Sequence, residues 1–177
     1  IDEFKEYFRP KMPDEWKDDK NAWLSTTDID KVLEQYEDAY HDFIYLVAHP
    51  IDAHKCSVSD EVCKINIGNI LKNNKTKIGI VFNTDDSTGE GEHWVSFYVD
   101  LEGVNRDGKP SAYYFDSAAD KPQKEIFKLV KKLKKQAKKE GFELDFLYND
   151  IQHQYEESEC GVYCMYFISK MIKGTNF

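Results

Sequence analysis

His93-Trp94-Val95-Ser96-Phe97-Tyr98-Val99-Asp100-Leu101 alternates, which sets Val95, Phe97, Val99 and Leu101 on one face of a strand. Asn105-Arg106-Asp107-Gly108 supplies turn chemistry, and Ala112-Tyr113-Tyr114-Phe115-Asp116 resumes an extended run. Paired as an antiparallel hairpin about residues 104–105, the two strands place His93 opposite Asp116. Directly opposed residues share a face, so an imidazole beside a carboxylate is predicted at one end of the hairpin. A carboxylate there orients the ring, fixes its tautomer and raises its basicity. Without that chemistry the pair is a chance cross-strand contact on a surface.

The rest of the chain reads as helices and strands around this hairpin. Ser25-Thr26-Thr27-Asp28 is a helix start, followed by Ile29, Val32, Leu33, Tyr36 and Tyr40 at helical spacing. Residues 43–47 make a compact strand stopped by Pro50. Residues 60–72 read as a second helix and 78–82 as a buried strand. The loop 84–92 is long, acidic and glycine-rich, the composition of a mobile lid. Residues 121–140 form a lysine-rich helix with Ile126, Phe127, Leu129, Val130 and Leu133 as its inner stripe. Residues 142–148 make another strand. The last helix, 160–173, is apolar on nearly every side, which predicts burial all round. This order implies an α+β fold with a mixed or antiparallel sheet wrapped by helices.

Composition bounds the function. A chain of 177 residues with 41% hydrophobic and 14% aromatic residues forms one domain with a proper core. We divide it into an N-terminal extension, 1–22, and a core, 23–173. No run of 18 apolar residues is present to span a membrane. The opening Ile1-Asp2-Glu3-Phe4-Lys5 is too polar for a signal peptide and lacks a start methionine, so an excised domain is expected. A net charge of −9 argues against a general nucleic-acid binder. The charge is uneven: residues 121–140 carry nine lysines against Glu125 and Glu140, a net of +7 beside −16 for the remainder. That stretch is either a docking surface for an acidic partner or a solvated helix face.

Four cysteines, at 56, 63, 160 and 164, are too few for a disulfide scaffold, so reduced thiols in a cytosolic or nuclear setting are expected. Cys160 stands where the acidic run Tyr155-Glu156-Glu157-Ser158-Glu159 gives way to the apolar helix. Unpaired N–H groups and the helix dipole stabilise a thiolate there, and a neighbouring imidazolium adds to this. Gly161 allows close backbone approach. Cys164, one turn on, reads as a core residue, and Cys56 and Cys63 read as structural. A metal site would draw on these cysteines with His49, His54 or His153, but the spacing matches no compact zinc pattern.

Taken together, His93-Trp94, Tyr114-Phe115-Asp116-Ser117 and Gln154-x5-Cys160-Gly161-Val162-Tyr163 resemble the SUMO-protease and adenain-like cysteine proteases. Trp23-Leu24-Ser25-Thr26-Thr27-Asp28-Ile29 resembles the family's tryptophan-bearing segment before its first helix, so the likeness runs from about residue 23 to 170. Asp120 and Glu143 show no such fit. Gln35-Tyr36-Glu37, Pro50-Ile51-Asp52, Gly79-Ile80-Val81-Phe82-Asn83 and Glu159 to Cys164 are closest in texture to versions from large nucleocytoplasmic DNA viruses.

The resemblance implies a papain-like, adenain-like fold with a mixed, mostly antiparallel sheet and a buried helix carrying the nucleophile. It implies Cys160 as nucleophile, His93 as general base and then acid, and Asp116 as the group that orients His93. Gln154, six residues before the cysteine, would donate to the oxyanion in preference to Gln152. Trp94 and Trp23 would wall a tunnel that admits only Gly-Gly, or else serve as core packing. The implied activity is that of a cysteine endopeptidase or isopeptidase without metal or organic cofactor. Its protein substrate would be a SUMO or ubiquitin-like conjugate, or a viral polyprotein with a Gly-Gly site. The enzyme is expected as a monomer in the cytoplasm or nucleus of a host cell or with the virion, independent of membranes. Two alternatives stand beside this: an acetyltransferase on the same scaffold, and a non-catalytic binding module.

Overall fold

The computed structural model describes residue 13 and residues 17–19, 22–156 and 158–177, so most of the expected extension 1–22 lies outside the described residues. Ser25 caps the first helix, α1 (Thr26–Ala39): its hydroxyl accepts from the Asp28 N–H while the Asp28 carboxylate accepts from the Ser25 N–H. Strand β1 (Phe43–Pro50) runs on to Pro50 through a bulge between Tyr45 and Ala48, with Val47 at φ 39°. Asp30 on α1 holds that bulge, accepting from the Tyr45 hydroxyl and the Ala48 N–H, each at 2.8 Å.

The single helix expected over 60–72 is two, α2 (Asp60–Cys63) and α3 (Ile67–Lys72). Asn66 caps the second piece by accepting from the Asn69 N–H at 2.9 Å. Gln136 brackets the break, donating to the Ile65 carbonyl at 2.9 Å and accepting from the Ile67 N–H at 2.8 Å. A side chain from a distant helix thus satisfies the backbone groups that a continuous helix would pair internally. Cys56 and Cys63 are joined in a disulfide, against the expectation of reduced thiols throughout, while Cys160 and Cys164 are free.

The remaining elements are β2 (Lys77–Asn83), β3 (Trp94–Asp100), β4 (Ser111–Phe115), α4 (Lys124–Lys139), β5 (Asp145–Tyr148) and α5 (Cys160–Ile172). The described strands form one five-stranded sheet in the order β1-β2-β3-β4-β5. The two central pairings are antiparallel and the two outer ones, β1 with β2 and β4 with β5, are parallel. In the β3–β4 hairpin Ser96 pairs with Phe115 and Phe97 with Tyr114, so it turns about residues 105–106 and the register lies two residues from expectation. The buried Asp100 carboxylate causes the shift by gathering the N–H groups of Glu102, Gly103 and Asn105 into a wider connection. A two-residue shift preserves the face of every side chain, which is why His93 and Asp116 still meet.

Both faces of the sheet are covered. On one, Ile78, Ile80, Val95, Phe97 and Val99 meet Ile126, Leu129, Val130, Leu133 and Ala137 of α4. Phe127 departs from the expected stripe: it is exposed and stands edge-on to Phe146. On the other face Phe43, Val81, Trp94, Tyr98 and Tyr113 meet α1 and α5. The β3 residues between the expected inward positions are therefore also buried, in a second core. Helix α5 is not buried all round, since it covers only this face: Val162 and Tyr166 lie on its solvent side, with the Lys170 ammonium 5.2 Å from the Tyr166 ring.

Candidate active site

His93 ends the acidic loop and immediately precedes β3, and Asp116 immediately follows β4, so the hairpin delivers both to one edge of the sheet. His93 Nε2 donates to Asp116 Oδ1 at 2.7 Å. Asp116 is fully buried, with its side chain 1% exposed against 21% for His93. Nε2 being taken, Nδ1 is the ring nitrogen left for a second partner, and Cys160 is near enough to influence the ring. Burial, the largest single influence on the ring, pulls its pKa down. The bond to the Asp116 carboxylate and its charge, with the nearby Cys160, outweigh burial, and the pKa is pushed up to about 10. The ring therefore keeps its proton at neutral pH and faces the sulfur as an imidazolium.

Cys160 is the first residue of α5 and is buried. Cys160 thus stands at the end of the helix where unpaired N–H groups and the dipole favour negative charge. Cys164 sits one turn deeper, and burial pushes its thiol well up, so it stays a neutral core residue.

Gln154 is buried and rigidly held. Its Oε1 accepts from the Ser117 hydroxyl at 2.6 Å and its Nε2 donates to the Glu156 carbonyl at 2.5 Å. Its own N–H and that of His153 donate to the Ser117 carbonyl at 2.9 and 2.8 Å. Tyr163 of α5 fastens the same segment, its hydroxyl donating to the His153 carbonyl at 2.9 Å. Gln152, the rival, is exposed and donates to the Gln154 carbonyl.

The two tryptophans part company. Trp94 is buried in the second core, its indole N–H donating to the Leu24 carbonyl at 3.0 Å. Trp23, next to Leu24, is 49% exposed. Leu24 lies against the chain neighbour of Cys160: a Cβ added at Gly161 would stand 3.1 Å from Leu24 Cδ1 and 3.4 Å from Ile29 Cδ1. The segment before α1 is thus packed against the head of α5.

Two supporting residues escaped the sequence reading. Asn149 accepts from the Asp116 N–H at 2.9 Å and donates to the Asp116 carbonyl at 2.7 Å, clamping the backbone of the residue that orients His93. It follows β5, and its reach to Asp116 depends on the parallel β4–β5 pairing, which no local pattern announces. Ser117 stood beside Asp116 in the sequence, yet its hydroxyl gave no signal of its distant partner. The acidic loop is stitched by hydrogen bonds: Asp52 accepts from the Ser87 N–H and hydroxyl, each at 3.0 Å, and Asp85 from the Gly91 N–H at 3.0 Å. Among the described residues, no group of three or more His, Cys, Asp or Glu side chains is arranged to hold a metal ion.

The chain is similar to known proteins in sequence and in fold. Residues 15–176 match the family model described as YopJ Serine/Threonine acetyltransferase. A putative thiol protease of Acanthamoeba polyphaga mimivirus is 35% identical over 156 residues, covering 88% of this chain and 49% of that protein. A SUMO-1 cysteine protease of African swine fever virus is 26% identical over 167 residues, covering 87% of this chain and 59% of that protein. The chain thus spans about half the length of the curated relatives it matches. In fold, it is similar to the crystal structure of the African swine fever virus protease, with a TM-score of 0.77 at 22% identity over 88% of this chain and 60% of that one. It is similar also to the SUMO protease Ulp1 with its catalytic cysteine oxidised to a sulfenic acid, with a TM-score of 0.62 at 17% identity over 88% of this chain and 68% of that one. The chain belongs to the family that the model describes and, with its viral relatives, to the SUMO-protease-like, adenain-like cysteine proteases.

Proposed function

We propose that this chain is the catalytic domain of a thiol endopeptidase or isopeptidase that cleaves after Gly-Gly. The observation that carries this is the buried Asp116–His93 bond set against a cysteine at the head of α5. In this reading the His93 imidazolium pairs with the Cys160 thiolate, which attacks the glycine carbonyl carbon. The carbonyl oxygen takes the negative charge and is met by the Gln154 side-chain amide and the Cys160 N–H. His93 passes its proton to the departing amine and a thioester remains. His93 then draws a proton from water, which displaces the sulfur and frees the glycine carboxylate. Asp116 keeps the ring in the orientation both steps need. In this reading Trp94 and the exposed Trp23 would flank the approach, where flat walls admit only residues without side chains. No metal or organic cofactor takes part in this sequence of steps.

SUMO or ubiquitin-like conjugates and viral polyproteins both present such Gly-Gly sites, and relatives named SUMO-1 cysteine proteases favour the first. The setting would be the cytoplasm or nucleus of a host cell, and the acting species a monomer. The test is covalent capture by electrophilic probes built on SUMO, on ubiquitin and on a short Gly-Gly peptide, read by intact mass. An adduct on the wild-type chain, absent from Cys160→Ala, is the expected result. Capture by the modifiers alone marks a deconjugase, and capture by the peptide alone marks polyprotein processing. No adduct at all on reduced Cys160 overturns the reading. The match to an acetyltransferase model supports a second reading, acetyl transfer through the same Cys160 and His93. There the product protein gains an acetyl group instead of losing a peptide.

A further inference from the structure

A primary amide is nearly symmetric in shape, and turning it over would aim its acceptor oxygen at a developing oxyanion instead of its N–H. Something must fix which end faces the reaction. The Glu156 carbonyl can only accept, so the bond of 2.5 Å assigns Nε2 to that side and Oε1 to the other. Ser117, whose hydroxyl can donate or accept, is then compelled to donate to Oε1, which it does at 2.6 Å. One Nε2 proton is engaged by Glu156, and the second has no partner among the described residues, which leaves it for an oxyanion. The same serine's carbonyl takes the N–H groups of His153 and Gln154, and its chain neighbour Asp116 holds His93. One buried residue therefore touches both the part of the site that moves protons and the part that stabilises charge.

We propose that Ser117 is a positioning residue that locks the Gln154 amide in the orientation that donates to the oxyanion. This rests on the reading of Gln154 as an oxyanion donor. Removing the hydroxyl leaves Oε1 a buried acceptor without a donor, and the amide is then held by its one bond to the carbonyl of the exposed Glu156.

The test compares steady-state cleavage of a fluorogenic Gly-Gly peptide with alkylation of Cys160 by iodoacetamide. Alkylation needs the thiolate but forms no oxyanion, so it separates the two parts of the site. Gln154→Ala is expected to lower kcat by about 10²–10³. Ser117→Ala lowers kcat by roughly tenfold, the scale of one buried group left unsatisfied. KM and the alkylation rate with its pH profile stay at wild-type values. Ser117→Thr, which keeps the hydroxyl, restores most of the rate. The double variant is no slower than Gln154→Ala alone, because Ser117 acts only through that amide. A slow Gln154→Ala beside a fully active Ser117→Ala overturns this proposal alone. So do losses that multiply in the double variant, or an alkylation rate that falls in step with kcat. A Gln154→Ala chain that keeps its kcat overturns the reading of Gln154, and the role of Ser117 with it.

Discussion

At the residue scale the site turns on the environment of one imidazole. The pKa of His93 rises from 6.5 to about 10, so the stability that its protonated form contributes is complete below 6.5 and is lost as pH climbs through about 10. Thermal stability should therefore decline across that window. Asp116→Asn removes the main influence opposing burial, so the ring should lose its proton at lower pH. The expected result is a flatter stability profile and an alkaline limb of Cys160 alkylation shifted below that of the wild type. An unchanged limb would mean that Asp116 does not govern the ring. Asn149→Ala should act one step further out, by leaving the Asp116 N–H and carbonyl unpaired. A loss of about 1–3 kcal/mol is expected, read from the denaturant midpoint.

At the element scale, β1 and β2 meet with almost no room. A Cβ at Gly79 would stand 2.7 Å from the Phe43 ring, and both lie in the interior. Gly79→Ala should cost about 1–3 kcal/mol as the ring is displaced, with a lower unfolding midpoint and an unchanged m-value. This scale also shows what a sequence can convey. The β3–β4 hairpin was legible because alternation and turn residues act locally, and a register error of two still left His93 and Asp116 on one face. The capping box at Ser25 and Asp28 was legible for the same reason. The break between α2 and α3 was not, since Gln136, remote in the chain, satisfies it. Helix α5 read as buried all round because its outer Val162 and Tyr166 are apolar yet exposed. Hydrophobicity alone does not say which side of a helix faces the sheet.

At the scale of the whole molecule, the sheet divides two cores, and the proposed chemistry belongs to one of them. The core under α5 holds Cys160, Cys164, Phe167, Ile168, Met171 and Ile172. The Cys56–Cys63 bridge, with its sequence separation of 7, lies in the connection between β1 and α3. Closing so short a loop contributes about 2.5 kcal/mol by chain entropy. Reduction should therefore lower Tm by roughly 5–10 °C. Cys160 alkylation at 25 °C should be unaffected, and a parallel loss would tie the bridge to the site. The contact of Leu24 and Ile29 with Gly161 bears on how lineages diverge. In the proposed function the cysteine answers to chemistry, whereas the glycine beside it answers to space. A descendant that abandons catalysis is free to replace the first and not the second. A glycine retained at the head of this helix is therefore a marker of ancestry, and it carries no information about whether the descendant is still an enzyme.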